Sequence, residues 1–269
     1  MNTTATLLRA VTASQYAPSP RGTRPWRWEL HDGVAELWAV RDQQLTALDP
    51  EGQLRILGCG AALHHARVAL AADGHTTATT RTPDPDRPDL LAELRVTGAR
   101  AVRAPDLRRY RSMLTRHIDR PAVPSQAVPD AALDSLQWAA ERYETHLRIL
   151  EPDEATRLTH GDVEPCVAPT GDRYAVLVTD ADTPLDWLTA GEALGEILLT
   201  AVAAGLTVTP ETRCGTRDEV RGVLAERGWP ILTLCLGVAD RTAAAWTART
   251  EFGAAAPAGD FEQTLMSVT

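Results

Sequence analysis

Lysine is absent from this chain. All 27 basic residues are arginines, and with 36 acidic residues the formal net charge is −9. A surface this acidic is repelled by nucleic-acid phosphates and by anionic membranes, so neither is expected as a general partner. Because arginine is the only basic residue type, its presence at a given position is by itself a weak indication of phosphate recognition.

Cysteine is scarce, and its spacing argues against the common metal and redox motifs. The four cysteines are Cys59, Cys166, Cys214 and Cys235. None forms a C-x-x-C pair, so neither a zinc site nor a dithiol is indicated, and free thiols in a reducing cytosol are expected. The adjacent residues His64 and His65 lack both the H-x-x-x-H spacing and a third ligand, so no metal is expected.

Long apolar runs and several familiar catalytic motifs are also missing. The N-terminus has no apolar signal segment, and the most apolar run, residues 197–208, is too short to span a bilayer. A cytoplasmic protein is therefore expected. There is no G-x-S-x-G, G-x-G-x-x-G or P-loop motif, which argues against a hydrolase of that type, a Rossmann dehydrogenase and an NTPase.

The order of predicted elements favours an α+β fold. Helices are predicted over residues 3–16, 53–73, 88–96, 105–117, 129–142, 184–204 and 216–228. Strands are predicted over residues 26–30, 34–40, 75–80, 145–150, 174–179 and 231–238, with loops over 81–88 and 159–172. A hairpin near the front and helix pairs elsewhere do not follow βαβ alternation. The 269 residues suit one large or two small domains, and a long-range duplication would be split near residues 81–104.

The most informative stretch is Ala-Pro-Ser-Pro-Arg-Gly-Thr-Arg-Pro-Trp, residues 17–26. It connects a predicted helix to a predicted strand, and its prolines hold consecutive backbone N–H and C=O groups in a rigid arrangement. Such an arrangement suits the edge of a flat, polar heterocycle, which Ser19 and nearby backbone groups would hydrogen-bond. The alternative is a proline-rich turn that leads into an edge strand, since turn residues are common.

Three further segments have candidate roles. Arg116 and Arg120 are four residues apart, so they can share a helix face, where guanidinium groups suit a phosphate; the alternative is a solvated, arginine-rich helix end. Residues 187–201 form an apolar helix whose small residues allow close packing. Arg249 lies near the C-terminus, where the alternative is a frayed tail.

Together these segments resemble the flavin-dependent nitroreductase family. Its Pro-Ser-x-x-Asn-x-Gln-Pro-Trp signature is matched at Pro18, Ser19, Pro25 and Trp26, and departed from at Gly22 and Arg24. Residues 116–120 resemble its phosphate-binding motif, except that Ile118 replaces a hydroxyl residue. Residues 58–63, 187–201 and 205–211, and Arg249, resemble the Acg-type subgroup. The chain is shorter than typical members, and the missing stretch, between Leu158 and Tyr174, helps build a lid over the flavin in that subgroup.

The resemblance implies a nitroreductase-like α+β fold, with a mixed or antiparallel sheet flanked by helices. It implies a fused pseudo-dimer of two halves, residues 1–96 and 97–269, with FMN at their interface and either a monomeric or a homodimeric chain. The cofactor-binding residues implied by this resemblance are Pro18, Ser19, Gly22, Arg24, Arg116, His117, Arg120, Pro210 and Arg249.

The implied function is hydride transfer between FMN and a small organic substrate, with NAD(P)H as a partner. No side chain stands out as a catalytic acid, base or nucleophile. Two alternatives remain open. One is a non-catalytic protein that sequesters flavin or keeps the fold without flavin, and the other is a specialised biosynthetic flavin dehydrogenase.

Overall fold

The computed structural model describes residues 3–44, 49–116, 126–159, 173–211, 216–225 and 228–239. Helices and antiparallel sheets alternate in these ranges, as expected for an α+β fold. The implied site residues His117, Arg120 and Arg249 lie outside the described residues. So do the cysteines Cys166 and Cys214, the predicted loop from residue 160 onward, and the C-terminal residues after 239.

The first half of the chain forms one four-stranded sheet with a long helix. Its elements are α1 (Thr3–Ala13), β1 (Trp26–His31), β2 (Val34–Ala39), α2 (Gln53–Ala72), β3 (His75–Arg81) and β4 (Leu90–Ala99). The strand order is β1-β2-β4-β3, and all neighbours are antiparallel. The β1–β2 hairpin turns at Asp32 and Gly33, whose φ angles of 47° and 76° are those of a type I′ turn.

The second half repeats this plan after an intervening helix. Its elements are α3 (Ala104–Thr115), α4 (Asp130–Glu141), β5 (His146–Ile149), α5 (Pro152–Thr159), β6 (Arg173–Thr179), α6 (Pro184–Ala204), β7 (Leu206–Glu211), α7 (Arg217–Val223) and β8 (Trp229–Val238). The strand order β5-β6-β8-β7 is the order of the first sheet, again antiparallel. The predicted boundary at residue 96 falls inside β4.

The core lies between the sheets, where α2 crosses α6. The helices meet at Gly60 and Gly191: a Cβ on Gly60 would overlap the Leu188 carbonyl oxygen, and one on Gly191 would overlap that of Leu57. Glycine therefore lets the two backbones touch, as the small residues of 187–201 predict. The described residues contain one helix, α6, long and apolar enough to cross a bilayer, and 72% of that stretch is buried inside the fold.

Helix α6 begins and ends where its capping residues predict. Thr183 and Asp186 form a reciprocal capping box at its start, and Gly205 closes it with a φ of 74°. Thr216 and Glu219 form the same box at the start of α7, which ends at Val223, before the predicted stop near Gly228.

One predicted helix is wrong, and two elements of the structure are missing from the prediction. Residues 88–96, predicted as a helix, contribute to strand β4, which pairs on both edges with β2 and β3. Residues 205–211, for which the resemblance implies a loop beside the flavin, contain strand β7; Pro210 is compatible with it because β7 is an edge strand, where proline is tolerated. Helix α5 has no counterpart among the predicted elements.

Candidate functional site

The Pro18–Trp26 segment follows α1 as two tight turns. A 3-10 turn at Ser14–Tyr16 is followed by another at Pro20–Gly22. Positive φ angles occur at Arg21 (49°), Gly22 (69°) and Arg24 (49°). Glycine adopts this region of φ without strain, and asparagine tolerates it better than most residues, so Gly22 suits its position in the turn.

Hydrogen bonds within the segment fix this shape. The backbone N–H of Arg24 donates to Ser19 Oγ at 3.0 Å, and that of Gly22 donates to the Ser19 carbonyl at 3.0 Å. Ser19 is 0% exposed. Its hydroxyl therefore acts as an internal clamp on the turn that carries Arg24.

The segment rests directly on helix α2. A Cβ on Gly58 would lie 3.5 Å from both Ser19 Cβ and Pro20 Cδ, which is ordinary van der Waals contact. The Cys59 thiol donates to the Pro25 carbonyl at 3.2 Å. Complete burial raises the pKa of Cys59 to about 12, so this thiol is neutral and structural at physiological pH.

Arg116 joins this segment from the other half of the chain. It follows α3 directly, and its guanidinium donates to the Tyr16 carbonyl at 3.2 Å, two residues before Pro18. His65 of α2 lies close by and is fully buried. Burial, together with the nearby charges of His64 and Arg116, holds the pKa of His65 well below its usual value, so the ring is neutral.

Three buried polar atoms around the segment have no hydrogen-bond partner within the described parts of the chain. They are Thr23 Oγ1, Trp26 Nε1 and His65 Nε2. Buried polar atoms in native proteins nearly always have partners, so such a group of atoms is typical of a place where a polar ligand binds.

Pro210, the remaining implied site residue in the described ranges, lies on β7 opposite Leu234. The next residue, Glu211, lines a cavity of about 630 Å³ between the two halves. Leu54, in the first turn of α2, forms the opposite wall. Trp229 of β8 also lines it, and the guanidinium carbons of Arg217 and Arg221 lie 5.5 and 4.1 Å from the Trp229 ring centroid.

Sequence reasoning missed a buried ionic cluster on α6. Glu196 is 2% exposed; it accepts from Arg109 at 2.8 Å and Arg142 at 2.6 Å, and its carboxylate lies 2.9 Å from His64 Nε2. Burial alone raises the pKa of Glu196, but the bond to His64 and the charges of His64, Arg109 and Arg142 lower it to about 2.

One turn earlier on α6, the fully buried Glu192 accepts from Arg67 and from Arg81, the latter at 2.6 Å. Two glutamates four residues apart in an otherwise apolar helix are the sequence signal that indicates this cluster.

Comparison with known proteins finds relatives over most of the chain, although no known family profile matches it. A Mycobacterium tuberculosis protein, provisionally named NAD(P)H nitroreductase, is 31% identical over 294 residues, covering 86% of this chain and 85% of its own. Another from that organism, provisionally named NAD(P)H nitroreductase acg, is 29% identical over 300 residues, covering 89% of this chain and 91% of its own.

Among solved structures, a nitroreductase with bound FMN from Bacteroides fragilis matches with a TM-score of 0.43 and 15% identity, over 52% of this chain and 92% of its own. The sequence relatives, in contrast, extend across both halves of the chain. The relative at 31% identity is matched over 86% of this chain in one alignment, which is more than either half contains. The chain therefore belongs to the nitroreductase family, in its Acg-like subgroup.

Proposed function

We propose that this protein is an FMN-dependent oxidoreductase of the cytoplasm, which takes hydride from NAD(P)H and passes it to a small organic substrate. One observation carries the proposal. The rigid segment of residues 18–24, in the first half, presents backbone groups. Arg116, in the second half, is held next to this segment because its guanidinium donates to the Tyr16 carbonyl at 3.2 Å. These are the two kinds of group that the edge and the phosphate of FMN require.

The residues present fit such a cofactor. Thr23 Oγ1, Trp26 Nε1 and His65 Nε2 are buried without partners in the described ranges and surround the segment. Bound FMN would supply the hydride chemistry. The chain's own part is to hold the ring edge with the backbone of residues 18–24 and the phosphate with Arg116, joined by His117, Arg120 and Arg249.

Arg24 gives this site its own electrostatic character. The family has a neutral glutamine here, whereas Arg24 carries a charge on a half-buried side chain whose backbone is clamped by Ser19. A positive charge beside a ring that gains electrons stabilises the added negative charge. In the FMN-loaded protein, Arg24→Gln should therefore shift the flavin reduction potential to more negative values. An unchanged potential would refute this role of Arg24.

The proposal is tested by loading the purified full-length chain with FMN. Expected are a yellow protein, FMN that stays bound through desalting, and bleaching of the flavin absorption by NADH or NADPH under anaerobic conditions. Arg116→Gln should weaken FMN binding about tenfold or more, because one charge-assisted contact to the phosphate is lost. Arg95→Gln is the matched control, since Arg95 is an exposed strand residue paired with Glu93.

A non-catalytic role is the second candidate, and one observation favours it. Ser19 uses its hydroxyl inside the segment and Gly22 has no side chain, so the segment offers a flavin fewer side-chain contacts than the family signature does. Yellow protein that neither NADH nor NADPH bleaches would indicate flavin storage. Colourless protein that takes up no added FMN would indicate a flavin-free scaffold and would overturn the oxidoreductase proposal.

A further inference from the structure

A second, smaller cavity of about 320 Å³ lies on the far half of α2 from the Pro-rich segment. Its walls come from the C-terminal half of α2, the start of β3, helix α3, the end of α4, and α6. Basic side chains dominate this wall: Arg67, Arg100, Arg103, Arg109, Arg142 and His75. Its volume is within the range of small-ligand pockets.

Carboxylates hold these arginines in place without matching their charge. Five arginines line the cavity, and three carboxylates pair with them: Asp106 and Glu196 on its wall, and the buried Glu192, which accepts from Arg67. Asp106 accepts from Arg100 at 2.7 Å and from Arg103 at 3.0 Å, and Glu196 fixes two more of the arginines. The cavity is therefore a preorganised centre of positive charge in a chain whose net charge is −9.

The arginines remain accessible from the cavity. Their side chains range from 23% exposed at Arg100 to 66% at Arg103. Each guanidinium has five N–H donors, and the bonds to the carboxylates occupy only some of them. The remaining donors are available to a ligand that enters the cavity.

One histidine on the same wall has an unsatisfied ring nitrogen. His75 is 6% exposed, and its Nδ1 is buried and has no hydrogen-bond partner among the residues described by the structure. His64 is different, because its Nε2 bonds Glu196 and its Nδ1 packs against Gly195 of α6. An unpartnered, buried imidazole beside a ring of guanidinium groups indicates a binding site, since a purely structural ionic cluster would satisfy it internally.

We infer that this cavity binds the phosphate group of a small phosphorylated molecule. Guanidinium forks that converge from several elements match the several oxygens and double charge of a phosphate monoester better than the single charge of a carboxylate. His75 adds a further donor.

This site is separate from the proposed FMN phosphate contact. Arg109, on its wall, and Arg116, in the proposed FMN site, stand seven positions apart in the chain. Two helical turns separate such positions by about 10 Å. A phosphate held by Arg116 and one held beside Arg109 would therefore occupy different positions along α3.

The test is a calorimetric titration of the full-length protein saturated with FMN, or as purified if it takes up none. The probes are inorganic phosphate, AMP and, as the uncharged match to AMP, adenosine. We expect AMP and phosphate to bind and adenosine not to bind. Arg103→Gln and Arg142→Gln should each weaken AMP binding at least tenfold. Arg9→Gln, which removes an exposed arginine paired with Asp73, should leave it unchanged.

Each other outcome overturns the inference in a defined way. AMP binding that is lost on FMN saturation or in Arg116→Gln, and retained in Arg103→Gln, would place the phosphate in the FMN site. Binding of inorganic phosphate without AMP would exclude a phosphate monoester. No heat with any probe, while circular dichroism and the melting temperature show a folded protein, would leave the cluster a structural one.

Discussion

The two halves of the molecule share one strand order but differ in their connections. Helices α5 and α7 lie between strands only in the second half, and the link that leads into the first strand differs in length. In the first half, residues 14–25 link α1 to β1 and form the clamped, proline-rich segment. In the second half, only residues 142–145 link α4 to β5. A duplicated scaffold offers two equivalent positions for a ligand, and here only one position has a segment that presents backbone groups. We therefore expect one flavin per chain.

The short link has a different role from the long one. Thr145 is fully buried, and its hydroxyl donates to the Tyr143 carbonyl at 3.0 Å. Tyr143 packs edge to face on His64, and burial raises its pKa to about 12. The long link presents backbone groups, whereas the short link places the side chains of Arg142 and Tyr143 on the wall of the second cavity, beside Glu196.

The largest effect on stability is expected at the crossing of α2 and α6, the long helices that both halves contain. Gly60→Ala and Gly191→Ala each drive a methyl group into a backbone carbonyl of the opposing helix, which no side-chain movement relieves. Each should destabilise the protein by at least about 3 kcal/mol, or prevent folding, and the two effects should be similar. Urea unfolding followed by circular dichroism measures both.

Gly222→Ala is the control for that experiment. A Cβ on Gly222 in α7 meets nothing within 4 Å, so alanine should be neutral or slightly stabilising. If Gly60→Ala is as stable as Gly222→Ala, the close crossing of α2 and α6 is incorrect.

The second-largest effect on stability is expected at the buried carboxylate of Glu196, next to the short link. Glu196→Gln removes the charge that Arg109, Arg142 and His64 share, and leaves these groups together without a counter-ion. Removing one partner from a buried ionic cluster destabilises by about 3 kcal/mol or more. Glu93→Gln, in an exposed pair with Arg95, should change stability by less than about 1 kcal/mol.

The same carboxyl predicts a pH dependence. Its pKa is about 2 in the folded protein, against roughly 4.3 when unfolded, so the unfolded chain binds the proton more tightly. The stability that Glu196 contributes is therefore complete above the unfolded pKa and is lost as the pH falls toward the folded one. The free energy of unfolding, measured from urea unfolding at several pH values in this acid range, should fall more steeply with decreasing pH for the parent chain than for Glu196→Gln. Equal slopes would contradict the assignment.

Sequence patterns were sufficient where a local signal decided the structure. The hairpin of β1 and β2 and the start of α6 at Pro184 both lie where the sequence predicts them. Leu90, Leu91 and Leu94 have helical spacing, which agrees with the predicted helix over residues 88–96, although this stretch is part of strand β4. Pairing with β2 and β3, which are distant in sequence, overrides that local preference.

The candidate site was predictable only in part. The Pro18–Trp26 motif predicts a rigid segment, and Arg116 is brought to its start. The position of Ser19 against Gly58 of α2 is a contact between residues distant in sequence, and the Ser19 hydroxyl is directed inward by its bond to the Arg24 backbone N–H. The grouping of Arg109 and Arg142 around Glu196 likewise depends on how three helices meet, which no local pattern contains.

A smaller effect is expected from removing one hydroxyl in each link. Ser19→Ala leaves the Arg24 backbone N–H without its acceptor, and Thr145→Ala removes the bond to the Tyr143 carbonyl. Each should cost about 1 kcal/mol of stability. Only Ser19→Ala should also weaken FMN binding, because only the long link presents groups to the cofactor. Equal loss of FMN affinity in both variants would remove the proposed difference between the links.

The smallest effect is expected in the chemical labelling of Cys59, which reports whether the long link remains packed on α2. Cys59 donates to the Pro25 carbonyl, and with a pKa of about 12 its thiolate is a negligible fraction at neutral pH. Iodoacetamide should therefore leave Cys59 unmodified in the native protein while labelling the half-buried Cys235 faster, as site-resolved mass spectrometry would show. Cys59 gains reactivity only if residues 18–25 lift from the helix. Labelling of Cys59 at a rate that added FMN does not slow would mean that the link opens freely, and that its backbone groups are not held ready for a ligand.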